Sequence, residues 1–539
     1  MDKVRIPYAE INRLPALANR VIEGDPLLKG FYRPFGVTPD PAQLTAQQQR
    51  LGVDARKTLV SVIKDQYKGI DNPPNAQIES LSLSNGFTIT TGHQLNLFTG
   101  PLYFLYKIID TIKIAKQWNA QQDGNNYVAV YWMASEDHDF EEINHFSVHG
   151  QKIHLSAKEG GAVGRYATKG LDQVLKIWEK HLGKSPEAAQ LTTWFQKAYV
   201  EHETLGAATR CLVHQLFGQY GLVVLDADHP KLKKAFVPYI LKELVESTTQ
   251  KETKKTHQAL EKSLASPQKQ QVFPRDINLF YLEGSHRRRI EKNDGGFRVV
   301  DTDQIFSKEA FLEEVKAHPE RFSPNALLRP VYQEVILPNL VYVGGGSELA
   351  YWLQLRDTFS AFDLPMPMLK LRSSLLIKTK KQQKKAEKWG LQDIDLFLPQ
   401  NELINHRVRQ ISNIDIDLGG LKSHLDQQFA FLYDLAQQTD ASFLGAVKAQ
   451  EKKQKKGIDR LEKRLLKAQR KKLIDQVTRI SELQQELFPQ GILQERVVNF
   501  ASFYLKYGDD FIPYLVDHID PMETGERTIV KRFVKRTNY

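Results

Sequence analysis

An apolar strand, a glycine-containing loop, an amphipathic helix and a second apolar strand follow one another between residues 87 and 133. The pattern predicts the first strand at Phe87–Thr90, the loop at Thr91–Pro101, the helix at Tyr103–Trp118 and the second strand at Tyr127–Met133. The helix carries its apolar residues at helical spacing, and a proline is well placed where a helix begins. A strand–helix–strand unit of this length implies a parallel pair of strands.

The same alternation recurs through the first 374 residues. Helices are predicted at Trp194–Tyr220, Lys231–Ser247 and Glu348–Leu355, and strands at Gly221–Asp226, Val341–Val343 and Pro367–Leu371. This order indicates an α/β fold, with a Rossmann-like, doubly wound parallel sheet as the core over residues 1–374. Two stretches near 149–184 and 272–300 are predicted to be inserted connecting regions with β content of their own.

The character of the chain changes after residue 374. Residues 375–490 are predicted to form an α-helical coiled-coil domain, because apolar residues recur every seven positions at Leu466, Leu473, Ile480 and Leu487. Either the seam of a homodimer or an antiparallel helical hairpin within one chain would explain this stripe. Residues 491–539 are predicted to form a cap that packs on the core.

Composition and charge narrow the possible classes of protein. Hydrophobic residues make up 41% of the 539 residues, and the single cysteine excludes an intrachain disulfide framework and a cysteine-rich zinc site. We expect a cytoplasmic protein without a membrane partner, because neither an export signal nor a long apolar run is visible. The net charge of +10 invites nucleic-acid binding, but much of it lies in Lys378–Lys388 and Lys448–Lys472, which favours solvated helical faces.

The loop after the first strand is the first candidate site. A loop that leaves a parallel strand opens at the carboxyl edge of the sheet, where such folds bind ligands. His93 can donate a hydrogen bond to a phosphate, and glycines let the backbone approach a ligand closely. The alternative is that the glycines only serve turns, with His93 at the surface. The candidate catalytic residue here is His93, and the candidate binding residues are Thr91, Gly92, Gln94, Thr99 and Gly100.

A dense acidic segment follows the second strand and opens at the same edge. Glu136, Asp137, His138 and Asp139 are candidate catalytic residues that can hold an amine, act as a general base or bind a cation. Zinc is not expected, since the histidine spacing matches no common zinc motif. An acidic helix start is the alternative, because carboxylates favour a first helical turn. Asn144 and His145 are candidate binding residues at the end of the segment.

A triple glycine after a predicted strand is the third candidate. Gly344, Gly345 and Gly346 form either a phosphate-contacting turn or a flexible connection. Arg329 and Arg372 can each hold a carboxylate through two hydrogen bonds, or lie at the surface. Glu348 and Tyr351, on the helix that follows the glycines, complete the set of candidate binding residues.

Several long motifs together resemble a known family. These are T-T-G-H-Q-L-N-L-F-T-G-P-L-Y at 90–103, W-M-A-S-E-D-H-D-F-E-E-I-N-H at 132–145, L-R-P-V-Y-Q-E at 328–334, Y-V-G-G-G-S-E-L-A-Y-W at 342–352 and the region 494–521. They are similar to the cysteine-adding enzymes of bacillithiol biosynthesis. The resemblance spans nearly the whole chain, and the paired long motifs are far more specific than one glycine loop.

The resemblance implies a Rossmann-like core with inserted connecting regions and a coiled-coil domain used for dimerisation. It also implies a ligase that joins the carboxyl of L-cysteine to the amine of glucosaminyl malate in the last step of bacillithiol synthesis. ATP, with magnesium as a possible companion, is the expected activator of the carboxylate. The related nucleotidyl-transferase folds carry an H-x-G-H loop. Here Gly92 and His93 lack the first histidine, and Lys370–Ser374 only faintly echoes a K-M-S-K-S loop.

The combined hypothesis gives His93 and the 92–101 loop the phosphate or carboxylate, and gives the Glu136–Asp139 segment the incoming amine. Two alternatives remain open at this point. One is a non-catalytic coiled-coil dimer that binds a nucleotide or metabolite. The other, ranked last, is an RNA-binding protein with a synthetase-like core.

Overall fold

The computed structural model describes residues 4–148, 150–156, 160–523 and 525–531. The chain divides into two compact units. The larger unit comprises Pro7–Leu375 and Glu495–Arg527, and the smaller one comprises residues 376–494 with short terminal segments. All candidate site residues therefore lie in the larger unit.

A six-stranded parallel sheet is the centre of the larger unit. Its strands in chain order are β1 (Arg33–Pro34), β2 (Gly86–His93), β3 (Asn126–Met133), β4 (Val223–Asp226), β5 (Asn339–Gly344) and β6 (Met368–Leu371). Their spatial order is β1-β6-β5-β2-β3-β4, and every neighbouring pair is parallel. The chain moves outward from β2 through β3 to β4 and then returns to the other side of β2 at β5. The predicted α/β core is confirmed, with its topological switch point between β2 and β5.

Strand β2 is longer than the sequence predicts. Thr91, Gly92 and His93 continue the ladder and pair with Tyr131–Met133 of β3. The predicted loop start at Thr91 is therefore wrong by three residues. Glycine and histidine have little strand preference of their own, but pairing with an apolar neighbouring strand overrides local preference.

Helices cover both faces of the sheet. In the larger unit they span Tyr8–Ile11, Ala16–Ile22, Pro41–Arg50, Val53–Gln66, Asn75–Ser80, Tyr103–Asn119, Phe140–Ile143, Leu171–Leu182, Pro186–Phe195, Leu205–Phe217, Pro230–Glu246, Thr248–Leu264, Lys308–Ala317, Arg329–Ile336, Gly346–Trp352, Arg356–Ala361, Ala501–Tyr507 and Phe511–His518. The helix Tyr103–Asn119 has the predicted position, and it packs against β2 and β3. Among the residues that the structure describes, no helix combines the length and apolar character needed to cross a bilayer.

Additional strands lie outside the parallel sheet. Leu279–Glu283, His286–Asn293, Gly296–Val299, Ile305–Ser307 and Phe322–Pro324 form a five-stranded sheet, called here the inserted sheet. Its neighbouring strands all pair antiparallel, as expected for an element separate from the core. A hairpin of His145–Val148 and Gln151–His154 follows β3. The predicted insertion near 149–184 contains part of that hairpin and the helix Leu171–Leu182, while residues 149 and 157–159 lie outside the described residues.

The smaller unit is mainly helical. Its helices span Lys380–Lys388, Gln400–Ile411, Gly419–Ala436, Ala441–Lys472 and Ile474–Leu487, and a small sheet contains Val4–Ile6, Ser374–Thr379 and Glu526–Lys531. Ion pairs join Lys422 to Asp459 at 2.7 Å and Asp426 to Lys455 at 2.5 Å. The later residue of the first helix, Asp426, thus pairs with the earlier residue of the second helix, Lys455. The helices Gly419–Ala436 and Ala441–Lys472 therefore run antiparallel.

The predicted heptad stripe contributes to packing within this chain. Leu466 and Val477 form an apolar cluster with Ile404, Val408 and Ile416, and Leu473 packs against its edge. The helix Ala441–Lys472 ends just before Leu473, so the stripe crosses a helix boundary. The intrachain alternative therefore accounts for part of the pattern.

Candidate active site

Glu348 is the centre of a hydrogen-bonded network at the switch point between β2 and β5. Its Oε2 atom accepts from Lys107 Nζ at 2.5 Å and from the Gly345 N–H at 2.7 Å, and its Oε1 atom accepts from the Tyr342 hydroxyl at 2.6 Å. Burial alone would raise the pKa of Glu348, but the Lys107 ammonium and these hydrogen bonds lower it to about 2. Lys107 also donates to the Gly92 carbonyl at 2.9 Å, which connects β2 to β5.

Arg329 lies beside this network, and all of its hydrogen-bond partners are neutral. It donates to Gln333 Oε1 at 3.1 Å, to the Tyr351 hydroxyl at 3.3 Å and to the Tyr342 hydroxyl at 3.4 Å. Within the described residues no carboxylate lies within ion-pair distance of its guanidinium. Burial lowers the pKa of Arg329, but the Tyr342 and Tyr351 oxygens and Glu348 together raise it, so the side chain stays cationic.

Gly92 has a packing reason to be glycine. A Cβ atom at this position would lie 3.1 Å from the Tyr342 hydroxyl and 3.5 Å from Arg329 Nη1. A side chain at residue 92 would therefore press on the Tyr342 hydroxyl, which donates to Glu348, and would contact the cation. The close approach supports the prediction that the backbone of β2 borders the site.

His93 is buried, so the surface alternative for this residue is wrong. Its ring lies 4.9 Å from that of Phe104 and 5.2 Å from that of Tyr103, and its Nε2 atom has no hydrogen-bond partner. Burial and the nearby Lys107 cation lower the pKa of His93 well below its ordinary value. His93 is therefore a neutral imidazole with one unsatisfied ring nitrogen.

Thr99 and Gly100 lie in a buried turn. Phe98, Thr99 and Gly100 all have positive φ, and Asn499 Nδ2 donates to the carbonyls of Phe98 and Gly100 at 2.7 Å each. A Cβ atom at Gly100 would lie 2.6 Å from Asn96 Cβ. The turn is held by packing, and the backbone oxygens of Phe98 and Gly100 are already used within the protein.

The acidic segment after β3 divides into two environments. Glu136 forms an ion pair with the buried Lys233, whose ammonium also donates to the Phe322 carbonyl at 2.5 Å. Burial, with Asp228 nearby, raises the pKa of Glu136. Burial also acts to raise the pKa of Asp137, but the adjacent His138, the Gln94 amide and the Arg287 charge lower it below its ordinary value. Asp137 is thus ionised at neutral pH.

Gln94 brings the first two candidate segments together. Its Nε2 atom donates to Asp137 Oδ2 and to Glu142 Oε2, each at 2.9 Å. The prediction that the ends of β2 and β3 share one edge is therefore confirmed in the geometry. Asn144 and His145 lie at the start of the hairpin, where His145 pairs with His154 of the second hairpin strand.

The triple glycine forms a tight junction between strand and helix. The Gly345 N–H donates to Glu348, and the Gly344 carbonyl accepts from the Arg372 N–H at 2.8 Å. A Cβ atom at Gly346 would meet Leu14 at 3.0 Å and Pro15 at 3.1 Å. Close packing therefore explains why residue 346 is glycine.

Arg372 is buried and neutralised, so its surface alternative is also wrong. It pairs with Glu495 at 2.6 Å and donates to the Ser373 carbonyl at 2.9 Å. Ser373 in turn donates from its backbone and hydroxyl to the buried Asp110 at 2.5 and 2.7 Å. The Lys370–Ser374 segment is therefore held by two carboxylates, Glu495 through Arg372 and Asp110 through Ser373.

A cavity of about 280 Å³ lies beside the end of β6. Its lining includes Tyr8, Tyr32, Phe35, Lys370 and Arg372. Apolar and aromatic walls with a few polar groups are typical of small-molecule sites. The separate group of Asp137, His138 and Asp139 has ligand atoms within 4.8 Å of one another, although the guanidinium beside His138 disfavours a metal ion there.

Sequence reasoning missed five residues that hold the candidates in place. They are Lys107, Lys233, Arg287, Glu495 and Asn499. Lys107 left a signal, because it is a charged residue on the otherwise buried face of the helix Tyr103–Asn119. The other four lie far from their partners in the sequence, although Glu495 and Asn499 fall within the family-like region 494–521.

Comparisons with known proteins agree with this architecture. A family model described as "Bacillithiol biosynthesis BshC, N-terminal Rossmann-like domain" matches residues 1–373, and one described as "Bacillithiol biosynthesis BshC, C-terminal coiled-coil domain" matches residues 375–531. A protein of Christiangramia forsetii named "Putative cysteine ligase BshC" is 48% identical, over 96% of this chain and 97% of its own. Proteins of the same name from Flavobacterium johnsoniae and Staphylococcus carnosus are 48% and 27% identical, over 92% and 93% of this chain and 93% and 95% of their own.

Proposed function

The chain belongs to the bacillithiol biosynthesis BshC family, whose relatives carry the name "Putative cysteine ligase BshC", and on this premise we propose that it joins L-cysteine to glucosaminyl malate. The new bond is an amide between the cysteine carboxyl and the amine of the sugar. Such a bond does not form readily from a free carboxylate. ATP, accompanied by magnesium, would supply the leaving group, since Mg²⁺ commonly accompanies nucleotide phosphates.

The cation of Arg329 carries this proposal. The half-buried guanidinium donates only to neutral oxygens and forms no direct ion pair, although the nearby Glu348 carboxylate raises its pKa. Carboxylates and phosphates match the planar fork of arginine, and each substrate of the proposed reaction carries one of them. Arg329 would hold that anionic group at the switch point, with Lys107 and the Gly92 backbone beside it.

Neutral His93 suits a polar contact to the same anion. Its unpartnered Nε2 atom is available either as a donor or as an acceptor, depending on which ring nitrogen carries the proton. Because the ring is neutral, it would bind by hydrogen bonding and add no charge. The phosphate and carboxylate role predicted for His93 therefore stays a proposal.

Asp137 suits the incoming amine. An ionised carboxylate attracts an ammonium group, but its lowered pKa makes it a weak base at neutral pH. Asp137 would therefore orient the amine. The hydrogen bond from Gln94 would hold the Asp137 carboxylate in place beside the segment that binds the anion. Homodimerisation through the coiled-coil domain and a cytoplasmic location, where ATP is available, complete the proposal.

Mass spectrometry of the full-length protein with L-cysteine, glucosaminyl malate, ATP and magnesium tests this function directly. Each component is omitted in turn. We expect the amide product only when all four are present, and product without ATP would remove nucleotide activation from the mechanism. No product, together with measurable binding of either substrate, would replace the proposal with the non-catalytic binding protein.

Site variants test the assignment within that assay. We expect His93→Ala and Asp137→Asn to lower turnover while the circular dichroism spectrum stays unchanged. If both folded variants retain full turnover, this edge of the sheet is not the active site. Arg289→Gln, on an exposed part of the inserted sheet, is the matched control and should behave as wild type.

A further inference from the structure

One arginine of the inserted sheet, Arg287, contacts the acidic segment that follows β3. Arg287 lies on the strand His286–Asn293, and its Nη1 atom lies 2.8 Å from His138 Nδ1. The other nitrogens of the guanidinium are anchored within the inserted sheet. Nε donates to Ser323 Oγ at 3.1 Å and Nη2 donates to the Pro324 carbonyl at 2.9 Å, while the guanidinium lies 3.9 Å above the Phe280 ring.

These anchors fix the direction in which the guanidinium points. Arginine keeps all of its protons in proteins and has no acceptor atom. The nitrogen that faces it must therefore accept the hydrogen bond, so the lone pair of His138 lies on Nδ1 and the ring proton lies on Nε2. Asp137 Oδ1 is 3.7 Å from Nδ1, too far to draw a proton onto that nitrogen.

The tautomer decides what His138 offers to a ligand. Its side chain is 40% exposed, and Nε2 lies 3.9 Å from Asp139 Oδ1, beyond hydrogen-bonding distance. The nitrogen that points away from Arg287 is therefore an N–H donor. A base for the incoming amine would need the lone pair that Arg287 already occupies.

We propose that Arg287 is a positioning residue that holds His138 as the Nε2–H tautomer, so that His138 donates a hydrogen bond to a carboxylate or phosphate oxygen of the substrate. The inference rests on the proposed function for the identity of that oxygen, but the tautomer itself does not. Through Arg287, the inserted sheet would contribute to the site. His138 would then act as a hydrogen-bond donor, whereas Asp137 would receive the amine.

Solid-state ¹⁵N NMR of full-length protein labelled with ¹⁵N-histidine measures the tautomer. The His138 signals are those that vanish in His138→Gln. We expect a protonated Nε2 and an unprotonated Nδ1 in the wild type, and movement of both signals towards a tautomer mixture in Arg287→Met. Arg289→Met, which removes a charge from the same strand, should leave both signals in place.

Kinetics then test the positioning role. Arg287→Met should lower kcat/KM for amide formation about 10-fold, the effect of misplacing one hydrogen bond to a charged group, and Arg287→Lys should recover part of it because lysine keeps a donor. A wild-type Nδ1–H signal, or unchanged His138 signals in Arg287→Met, would overturn the inference. Full activity in Arg287→Met with an altered tautomer would overturn the role in the reaction.

The two hypotheses fail separately. If the wild type makes no amide, the proposed function fails, yet the ¹⁵N spectra still decide the tautomer. Calorimetric binding of glucosaminyl malate, L-cysteine and ATP, each alone, then serves as the second measurement. Equal affinities for all three in wild type and Arg287→Met would overturn the donor role of His138, and an affinity about 10-fold weaker for one of them in the variant would support it.

Discussion

Two arginines near the end of the parallel sheet, the buried Arg372 and the half-buried Arg329, differ in their hydrogen-bond partners, although their sequence motifs suggest the same role. Arg372 is neutralised by Glu495 and tied to Ser373, whereas Arg329 meets only neutral oxygens from Gln333, Tyr342 and Tyr351. The charge of Arg372 is neutralised within the protein by the Glu495 carboxylate. An arginine without a carboxylate partner is available to an anionic ligand, so the direct ion pair is what separates the structural arginine from the candidate binding arginine.

The largest effect is expected where the ion pair is broken. Glu495→Gln leaves Arg372 buried without a counter-charge and should lower the free energy of unfolding of the larger unit by about 3–5 kcal/mol. Thermal unfolding followed by circular dichroism measures the loss. Glu291→Gln is the control, because its pair with Arg298 is partly exposed and should contribute about 1 kcal/mol or less. Equal unfolding temperatures for both variants would contradict the structural role of Glu495.

At Arg329 we expect a loss of activity with little change in stability. Arg329→Gln should lower kcat/KM about 100-fold, as when a preorganised donor to a developing or bound anion is removed. Its unfolding temperature should stay close to that of the wild type, since no buried carboxylate is left without a partner. Steady-state kinetics and thermal unfolding on the same preparation decide the matter. A destabilised variant with normal kcat/KM would make Arg329 another structural residue.

Glu348 shares the Tyr342 hydroxyl with Arg329, and its pKa makes the free energy of unfolding depend on pH. Its folded pKa of about 2 lies below its unfolded value, so its contribution is fully present above about pH 4.5. That contribution, about 2 kcal/mol after allowance for partial exposure, is lost as the pH falls from 4.5 towards 2. Urea unfolding of wild type and Glu348→Gln across this range measures it. A constant difference between the two proteins would exclude the Lys107–Glu348 pair as its source.

The smallest effect is expected on the amine side of the site. Asp137→Asn keeps the hydrogen-bonding shape towards Gln94 but removes the charge, and should raise the KM for glucosaminyl malate about 10-fold with little change for L-cysteine. Glu142→Gln, the other acceptor of Gln94, is the matched control and should stay within about 2-fold. Equal changes in both KM values would show that Asp137 does not distinguish the amine from the acid.

Much of the fold follows from local patterns. Apolar strands alternating with amphipathic helices identify the parallel sheet, and loops that leave neighbouring strands place Gln94 and Asp137 at one edge. The long motifs also identify the family, as the comparisons confirm. Local patterns misjudge His93, however, because its burial depends on the aromatic rings of a helix that packs back over the strand.

The sequence by itself determined the order of strands and helices, the family and the two segments that carry the candidate chemistry. Only the tertiary structure decided which charges are compensated and which are available. Glu348 lies 241 residues from Lys107, Glu495 lies 123 residues from Arg372, and Arg287 lies 149 residues from His138. The physical reason is that hydrophobic periodicity is a local property of the chain, whereas the charge state and role of a buried group depend on atoms that folding brings within a few ångströms.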